Sequence, residues 1–181
     1  GLSRSGLVLG VTGGSQGAAA INEAIGAIAA RLKRASIIWS CGRNNLAAVE
    51  AAVAGSAHVS LFPFVDDMAA FLKASDLVVS RAGATSLAEL AASRTPAVLV
   101  PYPWAADDHQ TKNAEACAQA GAAVVVAEGP EFEARLAGRK VELVMHDEHL
   151  GRRDAVKCIN ACTDWPERFM KVCGISSHMP A

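Results

Sequence analysis

Aromatic side chains are scarce. They make up 5% of the chain, with a single tyrosine, so the core must be filled by aliphatic and alanine side chains. Helices are then expected to pack closely on a sheet. A charge excess of either sign is also lacking: 17 Lys and Arg stand against 18 Asp and Glu, for a formal net charge of −1. That balance argues against a nucleic-acid surface built on phosphate contacts. No apolar run reaches transmembrane length, and no signal peptide is visible. No Cys-x-x-Cys occurs, and the five cysteines (Cys41, Cys117, Cys158, Cys162 and Cys173) are odd in number. Reduced thiols are the expectation, not a disulfide framework. Cys158 and Cys162 with His146 and His149 match no zinc spacing, so no metal is expected.

The common nucleotide fingerprints are incomplete too. No Lys-Ser/Thr follows the first glycine turn at P-loop spacing. Thr12 stands where G-x-G-x-x-G requires its first glycine. The expected second strand ends in Ser40-Cys41-Gly42-Arg43, without the acid that a dinucleotide site places there. A dinucleotide dehydrogenase is therefore disfavoured.

What the sequence does have is apolar content, 51% of 181 residues, enough for one full core. The length fits one domain or one half of a larger enzyme, and the start at Gly1 rather than Met fits a processed product or an excised domain, of which the excised domain is the expectation. The chain's organising stretch is LVLGVTGGSQGA, residues 7–18. An apolar run breaks at Thr12-Gly13-Gly14-Ser15-Gln16-Gly17 into an alanine-rich amphipathic pattern over 18–32. This is strand, glycine turn, helix. It places backbone N–H groups and a helix N-terminus at a strand's carboxyl end, which suits an anion. The same residues also fit a plain βα turn with Ser15 as N-cap.

Five further strand patterns follow, at 36–41, 58–62, 76–80, 96–100 and 122–126. Helical patterns lie between them at 46–54, 68–74 and 87–92, the second with Asp66 as expected N-cap. A long loop over 104–109 leads into another helix ending at Ala120. This alternation predicts an α/β fold, a doubly wound, Rossmann-like, six-stranded parallel sheet of order 3-2-1-4-5-6. Ligands would then bind where the order reverses, between the first and fourth strands. The domain is expected to span 1–173, with a core over 7–126, helices over 130–173 and a flexible tail over 174–181.

The fourth strand runs into Arg81-Ala82-Gly83-Ala84-Thr85-Ser86, a second glycine turn. Glu89 lies just beyond. It could accept from ribose hydroxyls, but Ser86-Leu87-Ala88-Glu89 also reads as a capping box, which is preferred on chemistry alone. Gln110 and Asn113 fit a solvated first helical turn. Asp107 and Asp108 read as cap and polar loop residues rather than a cation site.

Together these motifs resemble the MurG family of N-acetylglucosaminyltransferases. The residues that carry the resemblance are GGSQGA at 13–18, FVDDM at 64–68, RAGATSLAEL at 81–90 and PYPWAADDHQTKNA at 101–114. They stand in register over 7–126, and only 165–169 aligns beyond. The resemblance implies the carboxyl-terminal, donor-binding half of a two-domain GT-B glycosyltransferase that needs no metal or cofactor. It implies that UDP-N-acetylglucosamine meets Gly13, Gly14 and Ser15 at its diphosphate and Val65 at the uracil edge. Ala84, Thr85 and Ser86 would meet the diphosphate and sugar, Glu89 the ribose, and Gln110, helped by Gln16 and Asn113, the sugar hydroxyls. No catalytic residue falls on this half. The acceptor, a polyprenyl-diphosphate-linked muramoyl-pentapeptide, would be bound by an absent amino-terminal half at the cytoplasmic face of the membrane. Trp104 departs from the family, which usually carries a smaller or more polar residue there. The same motifs leave room for the donor half of another UDP-sugar:lipid transferase, a stand-alone donor subunit with a membrane-anchored partner, or a non-catalytic nucleotide-binding module.

Overall fold

The computed structural model describes residues 7–14, 17–33, 35–129 and 132–136. The expected helices and tail beyond residue 136, and the Cys158, Cys162, His146 and His149 grouping, lie outside the described residues. Six strands alternate with helices: β1 (Leu7–Thr12), α1 (Ala19–Ala29), β2 (Ala35–Ser40), α2 (Leu46–Ala52), β3 (Val59–Phe62), α3 (Met68–Ala74), β4 (Leu77–Ser80), α4 (Ala84–Ser93), β5 (Ala97–Leu99), α5 (His109–Gln119), β6 (Ala123–Val125) and α6 (Phe132–Leu136). The sheet order is β3-β2-β1-β4-β5-β6, as the alternation predicts, and every pairing is parallel.

Both sheet faces are buried because side chains alternate along each strand. On β1, Leu9 and Val11 join Ile21, Ile25, Ile28 and Trp39 in the core under α1 and α2. Val8 points the other way, into a core with Phe71, Leu72, Val78, Leu87, Leu90 and Leu99. With few rings available, most of these positions are Val, Ile, Leu and Ala. Trp39, fully buried on β2, is the largest of the few buried rings among the described residues, which include Phe71 and Phe132. Just before β4, Asp76 extends the central pairing. Its carboxylate accepts from Val8 N at 2.8 Å, and its own N donates to Val8 O at 2.8 Å.

Several helix starts differ from expectation. Ser15 is not the N-cap of α1: that position is Ala18, and no side chain caps the helix. The cap of α3 is Asp67, not Asp66. Its Oδ1 accepts from Ala70 N at 2.8 Å, because the helix opens at Met68 and only the residue immediately before can reach that amide. The largest difference is α4, which begins at Ala84 rather than Leu87, with Gly83 as its uncapped N-cap residue. Gly83 lies in the extended region, at φ −70° and ψ 148°, and Thr85 and Ser86 become part of the first turn.

Candidate functional site

The carboxyl ends of β1, β4 and β5 meet at one edge, and two adjoining cavities open there. The first, about 420 Å³, is lined by Thr12, Gly14, Ser40, Val65, Asp66, Ser80, Thr85, Ser86 and Glu89, among others. Its floor is a row of hydroxyl residues. Thr12, the last residue of β1, sits in register with Ser40, the last of β2, and with Ser80, the last of β4. All three are buried. Thr12 Oγ1 accepts from Gly14 N at 3.3 Å, and Ser80 Oγ donates to Arg81 O at 2.7 Å.

The glycine turn after β1 is closed by Gly17 N on Gly14 O at 3.0 Å. Gly17 has φ +75°, and any Cβ there would collide with Cys41 O. Only glycine lets the turn lie against the end of β2. Of the helices that start at this edge, α1 and α4 follow the two glycine turns, and both have no capping side chain and no acidic residue in the first turn. Their leading N–H groups therefore carry the partial positive charge of a helix N-terminus without an internal anion to neutralise it.

On α4, Thr85, Ser86, Glu89 and Leu90 fall at helical spacing on one face, and all line the first cavity. Glu89 stands in the second turn. Since Ser86 is inside the helix, the capping-box reading of Ser86 and Glu89 is not realised, and Glu89 is left half-buried at the cavity wall.

The second cavity, about 490 Å³, is lined by Gly13, Gly17, Ala18, Arg81, Tyr102, Trp104, Gln110 and Glu128, among others. Gln110 Oε1 accepts from Tyr102 N at 3.1 Å. Asn113 Nδ2 instead donates to Ala82 O at 3.3 Å, tying α5 to the turn after β4. Arg81 organises this wall. Its guanidinium forms an ion pair with Glu128 and donates from Nη1 to Val100 O and Pro101 O, both at 3.2 Å. It also lies 5.3 Å from the centre of the Tyr102 ring.

Of the residues expected from sequence, Gly14, Val65, Thr85, Ser86 and Glu89 share the first cavity, and Gly13 and Gln110 line the second. Ala84 is the first residue of α4 and is exposed. Ser15 and Gln16 lie outside the described residues. Sequence reasoning missed Arg81, Glu128 and the Thr12–Ser40–Ser80 row. A hydroxyl residue does stand at or near the end of each of three strand patterns, but only the register of the strands sets the three side by side.

Neither cavity presents an activated cysteine. Cys41 is buried, and burial pushes its thiol up, away from the thiolate that nucleophilic chemistry needs. Among the described residues no group of three or more His, Cys, Asp or Glu is placed to hold a metal. What the edge offers is oriented amides, hydroxyls and the carboxylates of Asp66 and Glu89, with Glu128 already paired to Arg81, a set suited to a phosphorylated, hydroxyl-rich ligand.

The family model described as glycosyltransferase family 28 C-terminal domain matches residues 8–159. The chain belongs to this family. As a family 28 domain it is similar to two curated UDP-N-acetylglucosamine--N-acetylmuramyl-(pentapeptide) pyrophosphoryl-undecaprenol N-acetylglucosamine transferases. One, from Sorangium cellulosum, is 46% identical over 136 residues, 70% of this chain and 33% of that protein. The other, from Syntrophotalea carbinolica, is 41% identical over 169 residues, 90% of this chain and 47% of that protein. The crystal structure of Acinetobacter baumannii MurG superposes with a TM-score of 0.71 at 31% identity, covering 94% of this chain and 51% of that one. The family 28 domain described here thus spans between a third and about half of the relatives it matches, and its fold is that of the GT-B glycosyltransferases. Among the described residues, no helix is long and apolar enough to cross a membrane.

Proposed function

We propose that this domain binds UDP-N-acetylglucosamine as the donor half of an inverting glycosyltransferase, which transfers the sugar to a polyprenyl-diphosphate-linked muramoyl-pentapeptide at the cytoplasmic face of the membrane. The observation that carries the reading is the convergence at one sheet edge of two uncapped helix N-termini with the half-buried carboxylate of Glu89. The activity for which the two relatives are named supplies the sugar and the acceptor.

In this reading Glu89 accepts from the ribose hydroxyls, and Val65, across the first cavity, borders the uracil. The amides of Ala84, Thr85 and Ser86, with the Gly13–Gly14 backbone and Ser15, face the diphosphate. Gln110, helped by Gln16, meets the sugar hydroxyls, and Asn113 holds α5 in place for it. When the acceptor hydroxyl attacks the anomeric carbon, the bond from that carbon to the diphosphate oxygen breaks and UDP departs with the electron pair. The negative charge that grows on the diphosphate is met by amides already oriented toward it. Oriented donors of this kind can do the work of a divalent cation. The hydroxyl's proton goes to a base outside this chain, on the acceptor-binding half.

Calorimetry on the 181-residue chain tests the reading. UDP and UDP-N-acetylglucosamine are expected to bind more tightly than ADP or NAD. NAD binding as tight as UDP would overturn it. The chain alone is expected to turn over no lipid-linked acceptor.

A further inference from the structure

We propose that Trp104 is the platform on which the hexose of the bound nucleotide-sugar stacks, and that it is therefore a specificity-determining residue of this domain. The proposal rests on the nucleotide-sugar reading above and adds to it a residue that the motif roles leave without a function.

Trp104 is 76% exposed, so its indole adds little to the core. Yet it is held firmly. Ala105 N donates to Tyr102 O at 3.2 Å, closing a β-turn with Pro103 at its second position, where the fixed φ of proline favours the turn. Trp104 occupies the third position, at the tip. The Tyr102 ring meets the indole edge-on, with centroids 5.6 Å apart and planes at 65°. Tyr102 is in turn backed by the Arg81 guanidinium, which Glu128 and two backbone carbonyls hold. The outer ring of this edge-to-face pair is thus presented to the second cavity, on a turn that reduces the freedom to be lost on binding.

The place of that cavity argues for its occupant. Gly14 lines the first cavity and Gly13 the second. These adjacent residues of one turn make the two spaces neighbours exactly where a diphosphate would pass from nucleoside to sugar. A pyranose has a rim of hydroxyls and a face of C–H bonds. The cavity pairs an aromatic wall with Gln110, whose Oε1 is already taken by Tyr102 N, which leaves Nε2 to donate to a hydroxyl. A ring with an apolar face and a polar rim matches both groups.

Calorimetry with UDP and UDP-N-acetylglucosamine on wild type, Trp104→Ala and Trp104→Phe provides the test. Trp104→Ala is expected to weaken the nucleotide-sugar by roughly three- to tenfold and to leave UDP unchanged. Trp104→Phe should recover most of the loss. Circular dichroism should show both variants folded, because the side chain lies outside the core. An unchanged affinity for the nucleotide-sugar, or an equal loss for both ligands, overturns the platform and leaves the nucleotide reading standing. Failure of wild type to bind either ligand removes the nucleotide reading instead. The platform is then decided by the Trp104 indole N–H signal in NMR, assigned by its loss in Trp104→Phe. Titration with millimolar N-acetylglucosamine should move it, and a stationary signal overturns the proposal.

Discussion

The indole N–H of Trp39 donates to Asn22 Oδ1 over 3.1 Å inside the core. Asn22 Nδ2 in turn donates to Cys41 O at 2.9 Å, so one buried amide joins α1 to the last residues of β2 and to the residue just beyond it. An isolated polar side chain at this depth would be costly. Here its carbonyl and its amide are both engaged.

Replacing Asn22 with Leu keeps the branched shape, with somewhat bulkier ends, and removes both bonds. The Trp39 N–H loses its partner, while Cys41 O keeps the amide of Asn45 at 3.1 Å. The expected loss of stability is about 1–3 kcal/mol, most of it the cost of the stranded indole N–H. Urea unfolding followed by tryptophan fluorescence should show a lower midpoint with an unchanged slope.

Glu89 gives a second test, on the site itself. Glu89→Gln should lower UDP affinity by about 1–3 kcal/mol if the carboxylate accepts from the ribose hydroxyls. Folding stability should change less, because α4 opens at Ala84 and Glu89 takes no part in its cap. A 2′,3′-dideoxyribose analogue of UDP should bind wild type and variant almost equally. The four affinities form a double-mutant cycle, and a coupling energy near zero would take Glu89 out of the ribose site.

Gly83 sets stability against binding. It occupies the N-cap of α4 in the extended conformation that a capping residue adopts, and a Cβ there would meet nothing within 4 Å. Gly83→Asp should therefore fold without strain. Its carboxylate would accept from the first-turn amides and complement the helix dipole, raising stability by about 0.3–1 kcal/mol. The same carboxylate would occupy and repel the place expected for a diphosphate. Thermal unfolding without ligand should shift upward while UDP affinity falls at least about tenfold, or 1.4 kcal/mol. A variant that gains stability and still binds UDP normally would remove the α4 N-terminus from the diphosphate site.

The sheet was legible because its signals are local. Short apolar runs such as Leu77-Val78-Val79 are bounded by turn residues, and their spacing forces parallel pairing through helices. The start of α4 was not. Thr85 and Ser86 are turn-favouring side chains that compete for backbone groups, so they read as loop, although tertiary packing carries the helix through them. Asp66 and Asp67 are adjacent and chemically alike, and only the register of α3 chooses between them. In the site, the identity of Glu89 could be read from its motif. The hydroxyl row could not, because which residues of β1, β2 and β4 lie side by side is a matter of strand register. Arg81 and Glu128 escaped for the same reason: they are distant in sequence and meet only after β4, β5 and β6 have paired.

The pairing of β1 with β4 also fixes the order in which the cleft can come into being. β1 precedes the other five strands in sequence yet lies inside the sheet, with β2 on one side and β4 on the other. During synthesis β1 and β2 can meet early, but the other edge of β1 stays open until Asp76 reaches Val8, 68 residues away in sequence. Until then, that edge offers unpaired backbone groups to any passing strand. Thr12 gains Ser80 as its neighbour in this same late step, so the floor of the cleft is completed only when the centre of the sheet closes. A half-made domain of this kind has no binding floor to offer a nucleotide, and competence to bind arrives together with protection from misassembly.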